Sequence, residues 1–271
     1  MYHVLFKIGW FEAHSYGLLL MGSFLAGIYL GVWRAKKTHV DPNQIIDISI
    51  ILIISGIVGS RGLYVLFHLE EFRGQWLNVI NPFQSDGSIG IAGLTVLGGI
   101  ILSIFNSIIY LRYKKIPLLP IFNIMAPSLA LGFVFTRIGC YLHGCCYGTP
   151  LSSGWSVVFP ANSPAGFQYP GQQLHPAQIY ASFAGAINFT LLILSEKITF
   201  FKDKTFFSFL ILYGISRFIV DIFRYYEESM VILNVSGQSY SLNQGISILL
   251  VVGGAVGIYI FSKKPEQIRN K

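Results

Sequence analysis

Charge is what this sequence has least of. Asp, Glu, Lys and Arg make up 11% of its 271 residues, against 53% hydrophobic residues, whereas soluble domains carry roughly a quarter charged. With a mean hydropathy of +0.59, that scarcity excludes an ordinary soluble domain and points to a multi-spanning membrane protein. Acidic residues are rarer still, 12 against 19 basic ones, giving a formal charge of +7. In a soluble domain that balance would suggest nucleic acid. Here the basic residues stand in short clusters beside apolar runs, which is a topology signal, so no nucleic-acid partner is expected. Also lacking are a basic n-region, a small-residue cleavage site after the first apolar run, a lipidation box, a low-complexity tract and an internal repeat. The first run is therefore expected to stay as a span, and residues 1–271 to form a single membrane domain.

Seven apolar segments approach or exceed the ~20 residues that cross a bilayer, at roughly 15–33, 45–67, 91–111, 118–137, 177–194, 205–223 and 244–262. The expected fold is all-α, a polytopic bundle of seven transmembrane helices. Thirteen of the 19 Lys and Arg follow the first, third, fifth and seventh segments. The positive-inside rule makes that side cytoplasmic, with the C-terminus inside, the N-terminus outside, and outer loops at about 68–90, 138–176 and 224–243.

Four of the six remaining cations, Arg61, Arg137, Arg217 and Arg224, lie in or at the outer ends of spans. A charge left in hydrocarbon there costs about 3 kcal/mol. Arg137 opens the densest stretch, Thr136 to Gly148, which holds all three cysteines within seven residues together with Gly139, Gly144 and Gly148. Glycines permit positive φ and expose N–H groups to an anion, so an arginine among them suggests phosphate or carboxylate; the plain alternative is a loop whose arginine snorkels to the headgroups. Arg217 and Asp221 are four apart and share a helix face, with Arg224 a turn further on. They form either a structural pair or part of a cavity, and several arginines converging on one leaflet would suit a phospholipid headgroup.

Gly90 to Gly99 opens the third span and would either pack helices closely or leave room for a lipid. Pro160 to Pro176 reads as an irregular external loop able to position or gate a substrate. His175, at the start of the fifth span, is an interfacial hydrogen-bonder or a catalyst. Cys140, Cys145 and Cys146, with His143, resemble a soft-metal cluster in composition, but ligands for zinc usually come as two separated pairs and adjacent cysteines seldom both reach one ion. The expectation is no metal; a structural or disulfide role and a place on a polar active-site floor stay open.

With these residues in view, the chain resembles the bacterial phosphatidylglycerol:prolipoprotein diacylglyceryl transferase family over nearly its whole length. Tyr16-Gly17-Leu18 is similar to the family's first-span tyrosine-glycine element, and Gly59 to Leu66 to its Gly-Ala-Arg-Leu-Gly-Tyr-Val-Leu stretch. Arg137-Ile138-Gly139 and Gly144 to Gly148 follow its Gly-Arg-x-Gly-Asn-Phe-x-Asn-Gly-Glu-x-x-Gly signature. His175 to Tyr180 resembles His-Pro-Ser-Gln-Leu-Tyr, and Tyr213 to Arg224 resembles Tyr-Gly-x-x-Arg-Phe-x-x-Glu-x-x-Arg. The resemblance implies transfer of the diacylglyceryl group of phosphatidylglycerol to the lipobox cysteine of a prolipoprotein signal peptide, at the outer leaflet of the bacterial inner membrane. That reaction makes a thioether, releases glycerol phosphate and requires no cofactor. Its implied site has Arg137 and Arg217 on the phosphate, whose developing charge needs fixed cations. Tyr16, Arg61, Gly139, Gly144, Gly148 and Tyr213 would lie around the substrate, with Asp221 and Arg224 orienting Arg217.

The chain also departs from the pattern. Leu97 stands where the family's Gly-x-Ser-Phe-His-Gly-Gly has its histidine, a candidate base for the substrate thiol. Cys140, His143 and Cys145 replace Asn, Asn and Glu, and Asp221 replaces Glu. Three accounts follow: His143 or His175 supplies the base; the thiol, already a few per cent thiolate, needs none; or the chain uses another acceptor or has lost activity. A non-catalytic lipid- or anion-binding protein, a transporter and a redox protein are the alternatives from other classes; the missing repeat and the one-sided polar groups disfavour transport.

Overall fold

The computed structural model describes residues 4–8, 11–38, 40–74, 76–81, 93–152, 154–226, 231–235 and 238–263. Among the described residues seven helices are long and apolar enough to cross a membrane: α1 (Ser15–Lys37), α2 (Pro42–Phe67), α4 (Val96–Tyr113), α5 (Leu118–His143), α7 (Ala177–Ser195), α8 (Thr205–Ile222) and α9 (Leu242–Lys263). Short helices α3 (Leu69–Phe72) and α6 (Pro164–Gln168) lie in loops. Three two-stranded ladders complete the described structure: β1 (Val4–Ile8) with β2 (Phe11–His14), β3 (Val157–Val158) with β4 (Gln173–Leu174), and β5 (Val231–Val235) with β6 (Gln238–Ser241). The all-α expectation and the seven spans hold. The start of the third span, expected at 91, lies partly outside the described residues, as do parts of the loops at 68–90 and 224–243 and the last basic cluster beyond Lys263.

Cα packing divides the chain into two compact units, Met1–Arg34 with Phe122–Lys271, and Ala35–Ile121. Both bury small and polar groups beside some large apolar ones and expose many large apolar side chains, as lipid-embedded bundles do. Ile54, Leu66, Ile101, Ile187 and Leu249 are exposed, while Ser55, Ser103, Ser182, Asn188 and Ser247 are buried. Where lipid tails are as apolar as leucine, helices associate through close backbone approach and interhelical hydrogen bonds. In the smaller unit, Gly59 of α2 and Gly98 of α4 meet so closely that a methyl group on either would strike the other's carbonyl oxygen. Ser103 Oγ donates to Leu52 O at 3.0 Å, and Asn106 Nδ2 to Ser55 Oγ at 2.8 Å. In the larger unit Ser182 Oγ donates to Val134 O at 3.1 Å and Asn188 Nδ2 to Ser216 Oγ at 2.8 Å, joining α7 to α5 and α8.

The larger unit places charge at both ends of α5. Near its N-terminus, Arg34 is buried. Its Nε donates to Ile124 O at 3.1 Å and its Nη1 to Glu196 Oε2 at 3.0 Å. Thr205 Oγ1 adds a bond to Glu196 at 2.9 Å. Although the sequence groups Arg34 with the surface cations of the first basic cluster, it ties α1, α5, α7 and α8 together. Arg137 lies toward the other end of α5, where the candidate site is built.

Candidate active site

The first requirement of the site is where α5 stops. An end at 137 is expected from the cost of Arg137, but the helix runs six residues further, to His143. Its end is set by a Schellman closure: Gly144, at φ +77°, donates to Tyr141 O at 3.2 Å and Cys145 N to Cys140 O at 3.1 Å. Satisfied last carbonyls and a glycine in the left-handed position end a helix whatever the hydropathy. The expected outer loop from 138 therefore begins at Gly144, and Arg137 lies almost two turns inside the helix. Of the three glycines of this stretch only Gly144 has positive φ. Gly139 is helical and packs on Tyr16.

The following segment is pinned on both sides. Gly148 N donates to His175 O and Thr149 N to Phe223 O, each at 3.0 Å, and Gln178 Nε2 donates to Cys145 O at 2.7 Å. A Cβ at Gly148 would collide with His175 and with the Phe223 carbonyl, so glycine is required by the close approach of three chain segments. Residues 145–149 are thus fixed between the start of α7 and the end of α8. The remaining loop is more ordered than its proline and glycine content suggests. Phe159, Ala165 and Leu174 form a small core beneath it, with Tyr141, Tyr147, Val157 and Tyr169 packed around.

A pocket lies between α5, α7 and α8, the helices whose ends this junction joins. Arg137, Arg217, Tyr213, Ser216 and Asn188 give it a polar lining, Phe133, Phe209 and Val220 an apolar wall, and Ala130, Ala181, Ala184 and Gly185 leave the space. Arg217 is held in place rather than free to swing. Its Nη2 lies 3.2 Å from Asp221 Oδ1, whose side chain is fully buried, and donates to the Tyr226 hydroxyl at 2.8 Å. That hydroxyl donates in turn to Asp221 Oδ1 at 2.7 Å, and the Arg224 guanidinium lies 5.0 Å from the Tyr226 ring centre. Burial, with Asp221 adding to it and the two arginines opposing it, pushes the Tyr226 phenol up to about 12. Asp221 Oδ2 and Arg224 Nε are buried without a partner among the described residues. Buried groups of this kind are rare and expensive unless something else binds them.

The three cysteines converge on one point. Their sulfurs all lie within 4.8 Å of one another, although Cys145 and Cys146 are adjacent. Neighbours on an extended strand point to opposite faces, and Cys146 escapes that alternation by taking φ +59°. Hydrogen bonds from the Cys140 and Cys145 thiols pull the Cys146 thiol below its usual range; Arg224 and Arg137 assist and burial opposes. Cys145 is pushed the other way, first by its bond to Cys140. Among the described residues all three are free thiols.

The structure brings together Tyr16, Arg137, Gly139, Gly144, Gly148, Tyr213, Arg217, Asp221 and Arg224 in the larger unit. His143 ends α5 with its ring 6.0 Å from that of Tyr16. His175 instead sits among aromatics, 3.3 Å from the Tyr180 hydroxyl and 5.3 Å from the Phe223 ring centre. Arg61 belongs to the smaller unit, where its Nε, Nη1 and Nη2 donate to Val79 O, Gly93 O and Asn78 O at 2.9, 3.3 and 2.7 Å. It stacks on Phe72 at 5.0 Å and anchors the loop after α3. Leu97 is half exposed in the first turn of α4. Sequence reasoning misses Tyr226, which is five residues from Asp221 and beyond the helix, so no helical periodicity marks it, and it misses Asn188 and Ser216, ordinary polar residues within spans.

These features define a polytopic membrane protein with a fixed arginine cluster and a thiol cluster at one end of a helical unit. The chain belongs to the prolipoprotein diacylglyceryl transferase family, whose family model matches residues 3–260. It is similar to the phosphatidylglycerol–prolipoprotein diacylglyceryl transferase of Clostridium tetani, at 32% identity over 96% of both chains. Proteins of the same name from Fusobacterium nucleatum (29%, covering 98% of this chain and 99% of the relative) and Clostridium botulinum (27%, 97% and 98%) are also similar.

Proposed function

We propose that this protein transfers the diacylglyceryl group of phosphatidylglycerol to prolipoprotein, in the membrane of a bacterial cell. The observation that carries the reading is the pair Arg137 and Arg217 on one pocket wall, with Arg217 locked by Asp221 and Tyr226. A phosphodiester leaving group gathers negative charge as its carbon–oxygen bond breaks, and fixed cations in a water-poor pocket stabilise it without reorganising. Asp221 Oδ2 and Arg224 Nε, which have no partner among the described residues, suit the hydroxyl groups and phosphate of a glycerol headgroup. The acceptor is the thiol of a lipobox cysteine, which becomes a thioether as glycerol phosphate leaves. The basic clusters support an outside N-terminus and a cytoplasmic C-terminus, and hence a site facing the outer leaflet of the inner membrane, with residues 1–271 acting as one membrane domain.

The test is transfer of labelled diacylglyceryl from phosphatidylglycerol to a lipobox peptide by purified protein in liposomes. The expected products are a thioether-linked lipid on the peptide and free glycerol phosphate, both lost in Arg137→Ala and Arg217→Ala. Wild-type rates in both variants would overturn the phosphate-binding role. Folded protein that binds the lipid and makes no thioether would overturn the acceptor.

A further inference from the structure

One group of side chains beside the arginines is not used by anion binding. Cys140, Cys145 and Cys146 present three sulfurs within 4.8 Å of one another. Zinc–thiolate bonds of about 2.3 Å place the sulfurs of a tetrahedral site about 3.8 Å apart, so the triangle is of a size that closes on a single cation. The backbone is shaped to make it. The Schellman turn at Gly144 carries the chain back over Cys140, Gln178 holds the Cys145 carbonyl, and Cys146 accepts a left-handed conformation that costs a residue with a Cβ about 1 kcal/mol or more. Cys140 is buried while Cys145 and Cys146 are partly exposed, so the cluster is reachable from one side. Three protein ligands with an open position are the pattern of a reactive site, whereas structural sites close with four. Thiolates select soft cations. One divalent ion and three thiolates sum to −1, and Arg137 and Arg224, which act electrostatically on the cluster, offset that charge.

We propose that Cys140, Cys145 and Cys146 hold a soft d10 cation of the zinc type, and that its open position receives the acceptor cysteine thiol. The proposal rests on the transferase reading and supplies what Leu97 removes from it. A thiol bound to such an ion is deprotonated outright, so no histidine is needed as base. The acceptor thiol displaces a water from the ion and its proton passes to solvent. A sulfur electron pair then forms the bond to the glyceryl carbon, and the carbon–oxygen bond breaks toward phosphate. That oxygen keeps the pair and leaves as glycerol phosphate beside Arg137, and the ion ends with its charge and oxidation state unchanged.

The experiment uses the full chain, purified in detergent without chelator, with metal content measured by mass spectrometry and the native ion then exchanged for cobalt(II). About one zinc per chain is expected, lost in Cys140→Ser and Cys146→Ser, with Cys145→His retaining it because one ligand replaces another. The cobalt form should show thiolate-to-cobalt charge-transfer absorption that rises on adding a lipobox peptide and is unmoved by the same peptide with serine for cysteine. Wild-type protein that takes up neither metal, whether its thiols are all free or two have formed a disulfide, would overturn the site. Bound cobalt whose spectrum answers both peptides alike would overturn the acceptor role. A cysteine-specific spectral response without any lipid transfer would uphold the site and sink the transferase reading. Transfer at full rate in both serine variants would sink the catalytic role of the site and leave the transferase reading standing.

Discussion

The Tyr226 hydroxyl donates to Asp221 Oδ1 at 2.7 Å while accepting from Arg217 Nη2, so a residue beyond the end of α8 fixes the direction of an arginine within it. Tyr226→Phe removes both bonds and leaves the ion pair. A hydrogen bond to a charged group is worth about 1.5–3 kcal/mol, so kcat/KM should fall on the order of 10- to 100-fold. Transfer kinetics with lipid held saturating would separate this from weaker lipid binding.

Tyr226 also sets an alkaline limit. Its phenol is raised from 10.0 to about 12, so the folded state keeps the proton that the unfolded chain releases. The contribution is present in full below about pH 10 and is lost as pH rises from there through about 12. Thermal unfolding of the wild type should therefore lose stability across that window relative to Tyr226→Phe. Parallel curves for the two proteins would contradict the assignment.

On the proposed reading, charge alone should not suffice at the pocket. Arg137→Lys and Arg217→Lys keep a cation but give up the planar fork that bonds phosphate with two parallel donors, and kcat should fall by about 100-fold. Each should insert and unfold as the wild type does, which a thermal melt in detergent would check.

Gly98→Leu should cost at least 1–3 kcal/mol, the usual penalty for overpacking, because its side chain would meet the Gly59 carbonyl. Gly62→Ala, three residues from Gly59 but facing open space, should leave stability within about 0.5 kcal/mol. Paired melting curves decide between contact and composition as the cause.

Arg34→Ala should destabilise by about 2–3 kcal/mol, because it leaves Glu196 partly buried and unpaired. Glu196→Gln should recover part of that loss in the double variant, a coupling that a double-mutant cycle measures.

The spans are legible in the sequence because an apolar run of lipid length has little else to be, and Arg137, Arg217 and Asp221 because a charge inside such a run needs a reason. The end of α5 is not legible, since hydropathy reports the cost of Arg137 and says nothing of the cap at Gly144. Arg34 is hidden among topogenic cations, since its partner Glu196 is far away in sequence. The cysteines show the same limit. Spacing predicts that two adjacent thiols diverge, and one positive φ at Cys146 reverses the outcome. Arg61 carries a family motif, yet its visible work is holding three loop carbonyls.

Arg137 stands thirteen residues beyond Ile124, whose carbonyl receives the buried Arg34, which is about 20 Å along the axis of α5. A hydrocarbon layer is about 30 Å thick. Measured from the anchored end, Arg137, the arginine proposed to hold the phosphate, would be reached before the far interface. On the proposed reading, a lipid entering sideways between helices would have its head drawn slightly down and its tails would never leave oil. Lifting one sixteen-carbon tail into water would cost about 13 kcal/mol at 0.8 kcal/mol per methylene. Depth, as much as charge, would then make a two-tailed amphiphile an accessible donor.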